Sequence, residues 1–278
     1  MLEQKKLRKL QLVELEILKE IRSICEKYSL EYYLIGGTLL GAVRHQGFIP
    51  WDDDLDIVMP REDYEKFIKI CEKNLNSDYY LESYRNDNNY WIPFAKMRKN
   101  NTLFVEEDTK HMVSHKGIFV DIFPLDYSDN DIGFSLIFKG KVFSYLRYLI
   151  GDKLGLYDYK NFDKSPFRDR IVKYLLLPFS ANYMLQFQQW FIQRGGKKKR
   201  YFVNYGSQYG IEKQTIAVEK FRPAVKVKFE NDLFSAPNDY KFILNRIYGS
   251  DYMSLPPEDK RISHSPVKVS FDIASEQQ

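Results

Sequence analysis

The residues of this 278-residue chain whose types and spacing could do chemistry are Asp54 and Asp56, two positions apart and preceded by the glycine pair Gly36-Gly37. In an extended backbone, alternation puts Asp54 and Asp56 on one face and turns Leu55 and Ile57 to the other. Two neighbouring carboxylates repel unless a cation lies between them. Hard oxygen donors in so sparse a set suit Mg²⁺, with Mn²⁺ as the alternative, and water and substrate phosphates would complete the shell. A helix starting behind the glycines, with Thr38 as the expected N-cap, would aim backbone N–H groups at a phosphate. Metal and phosphate would then belong to one substrate.

A third acid is expected from the strand Gly117–Asp126, where alternation separates Ile118, Val120 and Ile122 from Phe119, Asp121 and Phe123. A carboxylate in so apolar a strand is costly to bury unless it meets a cation or takes hydrogen bonds. Asp121 is therefore assigned to the metal, against the plainer reading of an ion pair with a nearby Lys or Arg; Asp126 is the substitute. Arg44, Lys96 and Arg98 suit phosphate oxygens, with ordinary surface solvation as their alternative. His45 is as well explained by packing as by a ligand contact. Asp52 and Asp53 fall out of strand phase and are read as loop caps or outer supports.

These residues carry a resemblance. Gly36-Gly37-Thr38 followed by Asp54-x-Asp56 resembles the signature of the nucleotidyltransferase fold. The longer run Arg44-His45-Gln46-Gly47-Phe48-Ile49-Pro50-Trp51-Asp52-Asp53-Asp54 is similar to the LicD family of phosphocholine and related phosphoalditol transferases, to which the fukutin-related proteins are also similar. Val120 to Asp126, the turn Glu230-Asn231-Asp232, and Tyr248 to Pro257 with Arg261 and His264 resemble the same family. The resemblance spans roughly residues 20 to 265 and is thinnest over 127 to 215.

The resemblance implies an α/β (α+β) protein: a nucleotidyltransferase-like mixed sheet flanked by helices, with a largely helical region and a C-terminal hairpin-helix segment. It implies metal-dependent transfer of a phospho-alcohol, phosphocholine first, from CDP-choline or another CDP-alcohol. The acceptor would be a hydroxyl of a cell-surface glycan (lipopolysaccharide, teichoic acid or capsule) or of its lipid-linked precursor. Asp54, Asp56 and Asp121 would be catalytic and metal-binding. Gly36, Gly37, Thr38, Arg44, Lys96, Arg98, Arg261 and His264 would bind substrate. Two other readings stay open: nucleotidyl transfer to RNA or a small molecule, and glycan binding without catalysis.

Composition agrees with a globular enzyme, at 44% hydrophobic and 29% charged residues. A net charge of +4 fits anionic substrates or an anionic membrane face without requiring nucleic acid. The aromatic share, 16%, supplies rings for a core and a few for sugar stacking or a cation cage. Cys25 and Cys71 are expected as buried free thiols. With neither a signal-like start nor a run of apolar residues long enough to span a bilayer, a cytoplasmic location is expected, a peripheral seat at the inner membrane face remaining open.

The elements that must position these residues follow from periodicity. Residues 3–28 repeat apolar positions at helical spacing; 31–35 and 55–59 are strands, 38–45 a short helix, and Pro60 starts another. Strands follow near 79–84, 91–98 and 102–106. Basic, apolar segments at 133–150 and 168–192 are read as helices that pack on the core or lie on a bilayer. The Lys197–Arg200 run is a solvated loop or a membrane or phosphate contact. A hairpin turning at Glu230-Asn231-Asp232, with Asn231 left-handed, precedes a helix at 239–248. The expected division is a catalytic core, 1–126; a helical insertion or acceptor-side part, 127–215; a segment completing the core, 216–265; and a flexible tail, 266–278.

Overall fold

Large apolar side chains alternating on both faces make one ten-residue strand, β6 (Phe119–Ser128), the natural centre of a sheet. A computed structural model describes residues 2–87, 90–107, 109–156, 178–261, 263 and 266–273. In it, β6 runs parallel to β2 (Asp56–Pro60) and antiparallel to β4 (Ala95–Lys99). β1 (Tyr33–Leu34) extends the sheet beyond β2, and β3 (Tyr79–Glu82) extends it beyond β4. Where β2 ends opposite Leu125, β6 continues onto β7 (Tyr201–Val203), which pairs with β8 (Thr215–Ala217). These make a seven-stranded mixed sheet. β9 (Val225–Phe229) and β10 (Asp232–Ala236) form a separate hairpin, and β5 (Leu103–Val105) pairs with β11 (Lys268–Ser270).

Helices cover the sheet. α1 (Gln4–Tyr28) packs on β6 and β4 through Leu10, Ile17, Leu18 and Ile21, all fully buried. Each contributes about 1.5–3 kcal/mol of apolar burial, which propensity alone would not supply. α2 (Gly36–His45) follows β1, and α3 (Arg61–Asn74) starts behind Pro60 with Glu62 and Asp63 at its positive end. α4 (Phe134–Lys153) packs against α5 (Ala181–Ile192), where the Gln188 amide donates to the Phe143 carbonyl at 2.8 Å. A short turn, α6 (Ile211–Gln214), precedes β8. α7 (Tyr240–Tyr248) is capped by Asp239, whose carboxylate accepts from the Phe242 N–H at 3.1 Å. Cys25 and Cys71 are buried free thiols.

The mixed α/β architecture is the expected one, with several local differences. The segment 127–215 is not wholly helical, because β7 lies on the main sheet. The 91–98 strand starts at Ala95, and residues 168–177 of the expected second helix lie outside the described residues. The helix behind the glycines starts at Gly36 rather than Thr38. The left-handed residue of the hairpin turn is Glu230 (φ 56°), not Asn231. Its N–H donates to the Gln46 carbonyl at 2.8 Å, while its carboxylate accepts from Arg8 at 2.6 Å and from the Phe48 N–H at 3.3 Å, contacts that offset the strain. Residues 268–270, expected in a flexible tail, form β11 with Val269 buried against Phe104.

Candidate active site

Regular pairing of β2 begins at Asp56, yet the extended phase continues upstream: the Asp121 N–H donates to the Leu55 carbonyl at 2.9 Å. Leu55 and Ile57 are fully buried, and Asp54 and Asp56 both line a cleft of about 200 Å³. Asp121 lines it too, standing opposite Asp56 in the parallel register. Three carboxylates thus reach one hollow from two adjacent strands.

Two features of α2 hold Asp56 in place. Gly36 adopts φ +58°, and a Cβ there would lie 3.1 Å from the Asp56 Oδ2, so glycine meets both the backbone and the close approach. The Thr38 hydroxyl accepts the Asp56 N–H at 2.8 Å from inside the first turn. Thr38 is therefore neither the N-cap nor a wall of the cleft; it is a buried brace for the Asp56 backbone. Gly37 packs against Asp52, where a Cβ would lie 2.7 Å from the carboxylate. With Ile35 and Gly36 on the cleft wall, the positive end of α2 faces the hollow.

Electrostatics set the Asp121 carboxyl apart. Burial pushes its pKa up, the Lys96 ammonium pulls it down, and the charge of Asp54 raises it further. The Lys96 Nζ lies 2.7 Å from Asp121 Oδ1 and 3.4 Å from the centre of the Phe119 ring. Asp121 thus has the lysine partner of the plainer reading, and it shares the acidic cleft with Asp54 and Asp56.

Beneath the cluster, Glu14 of α1 is buried, its carboxyl pushed well up by burial and then by the charges of Asp54, Asp53, Asp52 and Asp121. Among the described residues, no three His, Cys, Asp or Glu side chains already surround one point as metal ligands. The donor set nevertheless fits Mg²⁺, which takes one or two carboxylates and draws its other oxygens from water and phosphate. Asp54 and Asp56 would supply the two, with Asp121 next to them.

The other expected substrate residues divide by position. Arg98 lies off the cleft, buried and paired with Glu82 while donating to the Gly117 carbonyl at 2.8 Å. Arg44 also lies off it, donating to the Tyr252 and Ser254 carbonyls at 3.0 Å each and so fastening the segment after α7. Arg261 stacks on Trp51, 4.5 Å from the ring centre, with His45 edge-on to the same ring. His264 lies outside the described residues. Asp52 and Asp53 do not line the cleft.

Several lining residues carried no signal strong enough to single them out. Arg147 of α4 reaches the cleft and donates to the Gly206 carbonyl at 3.4 Å. The loop after β7 adds Asn204, Gly206, Ser207, Gln208 and Tyr209, and Phe94 and Phe123 close the wall. Gly206 lies against those two rings, where a Cβ would lie 3.0 Å from Phe123 and 3.1 Å from Phe94. A glycine amid polar residues just after an apolar strand was the sequence clue. The Tyr209 hydroxyl bonds that of Tyr248 at 3.1 Å; burial raises its pKa, the Tyr248 bond opposes this, and the charge of Asp56 adds to the rise.

Comparison with known proteins gives this layout its class. Residues 29–149 match the family model described as "LicD/FKTN/FKRP, nucleotidyltransferase domain", a stretch that holds Asp54, Asp56, Asp121 and Arg147 but not the 204–214 part of the cleft wall. The chain is 33% identical over 262 residues to the lipopolysaccharide cholinephosphotransferase LicD of Haemophilus influenzae, an alignment covering 93% of this chain and 95% of that protein. This protein belongs to the LicD family. A shorter stretch of 48 residues, 17% of this chain, is 42% identical to the ribitol 5-phosphate transferase FKRP of human and of mouse, covering 10% of each.

Proposed function

We propose that this protein transfers a phospho-alcohol, phosphocholine first, from a CDP-linked donor to a hydroxyl of a cell-surface glycan or its lipid-linked precursor. The observation that carries this reading is the convergence of Asp54, Asp56 and Asp121 on one cleft with the N-terminal end of α2 and Arg147. The relative's cholinephosphotransferase name supports the phosphocholine choice. The cleft also offers the rings of Phe94, Phe123 and Tyr209, the surface a quaternary ammonium prefers. Asn204, Ser207 and Gln208 on the same wall would suit an alditol phosphate, which is the second reading.

In the proposed reaction the acceptor oxygen forms a bond to the phosphorus carrying the alcohol. The bond from that phosphorus to the oxygen shared with the nucleotide breaks, and CMP leaves with the electron pair. Asp54 and Asp56 would hold Mg²⁺, which supplies charge stabilisation for the departing oxygen. Arg147 and the α2 amides bind the donor phosphates and hold them in line with the acceptor. Asp121, its carboxylate fixed by Lys96, either takes the acceptor proton itself or joins the oxygen set while the proton passes to solvent water. The remaining effect is positioning and preorganised charge.

The test is to incubate the protein with Mg²⁺, a glycan acceptor and CDP-choline, CDP-ribitol or CDP-glycerol, and to read the acceptor by mass spectrometry. Addition of phosphocholine supports the first reading and addition of an alditol phosphate the second. Modification by a nucleoside triphosphate alone would replace both.

A further inference from the structure

We propose that the outer face of the α4–α5 pair is a docking surface for an anionic phospholipid bilayer. On α4, Phe134, Phe138, Lys141 and Tyr148 follow one another at helical spacing and are all exposed, Phe134 at 86%. On α5, Tyr183, Phe187 and Trp190 do the same, Tyr183 at 56%, and exposed Arg194 follows just past its end. The rings associate with each other in the open: Phe134 stacks on Phe138, and Phe187 lies 5.5 Å from Trp190, whose face Arg194 covers at 3.6 Å.

Both stripes point away from the body of the protein. Leu136 and Phe143 of α4 and Ile192 of α5 are buried with Val203 and Tyr205, so the opposite sides of the two helices face outward. Dispersed exposed apolar residues need no explanation, but a run of exposed rings along each of two packed helices does.

Charge selects the occupant. Residues 131–156 and 178–200 hold nine Lys or Arg against two Asp; setting aside Arg147 in the cleft and Lys199 paired with Glu62 leaves seven cations against two acids, while the whole chain carries only +4. Lys141, Arg194, Lys197 and Lys198 are all exposed. Aromatic rings at headgroup depth with cations at the phosphates are the pattern of a helix lying in a membrane interface. No helix among the described residues is long and apolar enough to cross a membrane, so the contact proposed is peripheral.

The face also adjoins the catalytic cleft. Lys141 lines a cavity of about 350 Å³ with Ile137 and Ser144, and this cavity shares Asn204 and Ser207 with the carboxylate cleft. An acceptor glycan held at the bilayer would meet the reacting centre from that side. Docking itself does not depend on the proposed chemistry.

The experiment is co-sedimentation of the full chain with vesicles of phosphatidylcholine alone or mixed with phosphatidylglycerol. Binding to the mixed vesicles, weakening as salt rises, is expected. Lys141→Gln, Lys197→Gln and Lys198→Gln should each cost about fivefold in partitioning, and the double change Phe134→Ser/Phe138→Ser about tenfold. Trp190 fluorescence should be quenched by brominated lipid. Asp54→Asn/Asp56→Asn should bind vesicles like the parent, which separates failure of docking from failure of the chemistry. Absence of vesicle binding would overturn the proposal. So would unchanged binding by the folded Phe134→Ser/Phe138→Ser variant, including the case in which that change instead splits a dimer in sedimentation velocity.

Discussion

Asp56 and Asp121 stand directly opposite one another on adjacent parallel strands, and Lys96 stands opposite Asp121 on the other side of the same row. The sheet therefore builds a line of charge, acid, acid, base, across its centre, one end of which opens into the cleft. Strand register, rather than a loop, fixes the spacing of the two acids, and this is why a rigid sheet can serve the site.

The Lys96–Asp121 pair is buried enough that breaking it from one side should be costly. Lys96→Met is expected to lower stability by about 3 kcal/mol, because Asp121 then keeps its burial and the Asp54 charge with no cation beside it. Adding Asp121→Asn to that variant should recover much of the loss. Denaturant unfolding of the two singles and the double measures this as a coupling energy.

Gly36→Ala tests the contact between α2 and the acid. The left-handed backbone costs a β-carbon about 1–2 kcal/mol, and the new methyl meets the Asp56 carboxylate. Activity should fall further than that stability loss explains, because Asp56 is displaced while the fold persists. Melting temperature and kcat, measured on one preparation, separate the two effects.

Glu230 gives a pH dependence remote from the cleft. The Arg8 hydrogen bond holds its carboxyl below the usual range, against an opposing effect of burial. A depressed folded pKa means stabilisation present above the unfolded carboxylate pKa of about 4.3 and lost as pH falls through the depressed folded value. Glu230→Gln should therefore be less stable than the parent at pH 7 by about 1 kcal/mol, since Arg8 is half exposed. The difference should disappear in acid, as thermal melts across pH would record.

Arg147 is expected to bind the donor rather than shape the fold. Arg147→Met should raise the donor KM by about tenfold or more, with little change in melting temperature, and Arg147→Lys should recover part of the loss. Unchanged kinetics would remove Arg147 from the site.

What the sequence made legible was whatever rests on strand phase and on the cost of buried charge. Asp54, Asp56 and Asp121 could be traced to one cleft because alternation gives their face and an apolar setting makes a carboxylate conspicuous, although Asp121 also pairs with Lys96. The direction of long side chains was not legible. Arg44, in the densest motif, turns to the carbonyls of residues 252 and 254, and Arg98 turns to Glu82, because partners distant in sequence decide where a guanidinium goes. Thr38 looked like a cap because hydroxyls favour that position, but its oxygen is taken by the Asp56 N–H. Arg147 was hidden on a helix whose basic and apolar residues suit packing, membrane and ligand alike. The placement of β11 depended on pairing with β5, some 160 residues earlier, which no local pattern reveals.

The central claim is that the carboxylates of β2 and β6 form one reaction centre, and release of CMP from CDP-choline in the presence of a glycan acceptor and Mg²⁺ tests it most directly. Asp54→Asn, Asp56→Asn and Asp121→Asn should each slow that release by about 10²–10³-fold, with circular dichroism unchanged and chelation by EDTA abolishing the parental rate. Release at the parental rate by any of these three folded variants would contradict the account.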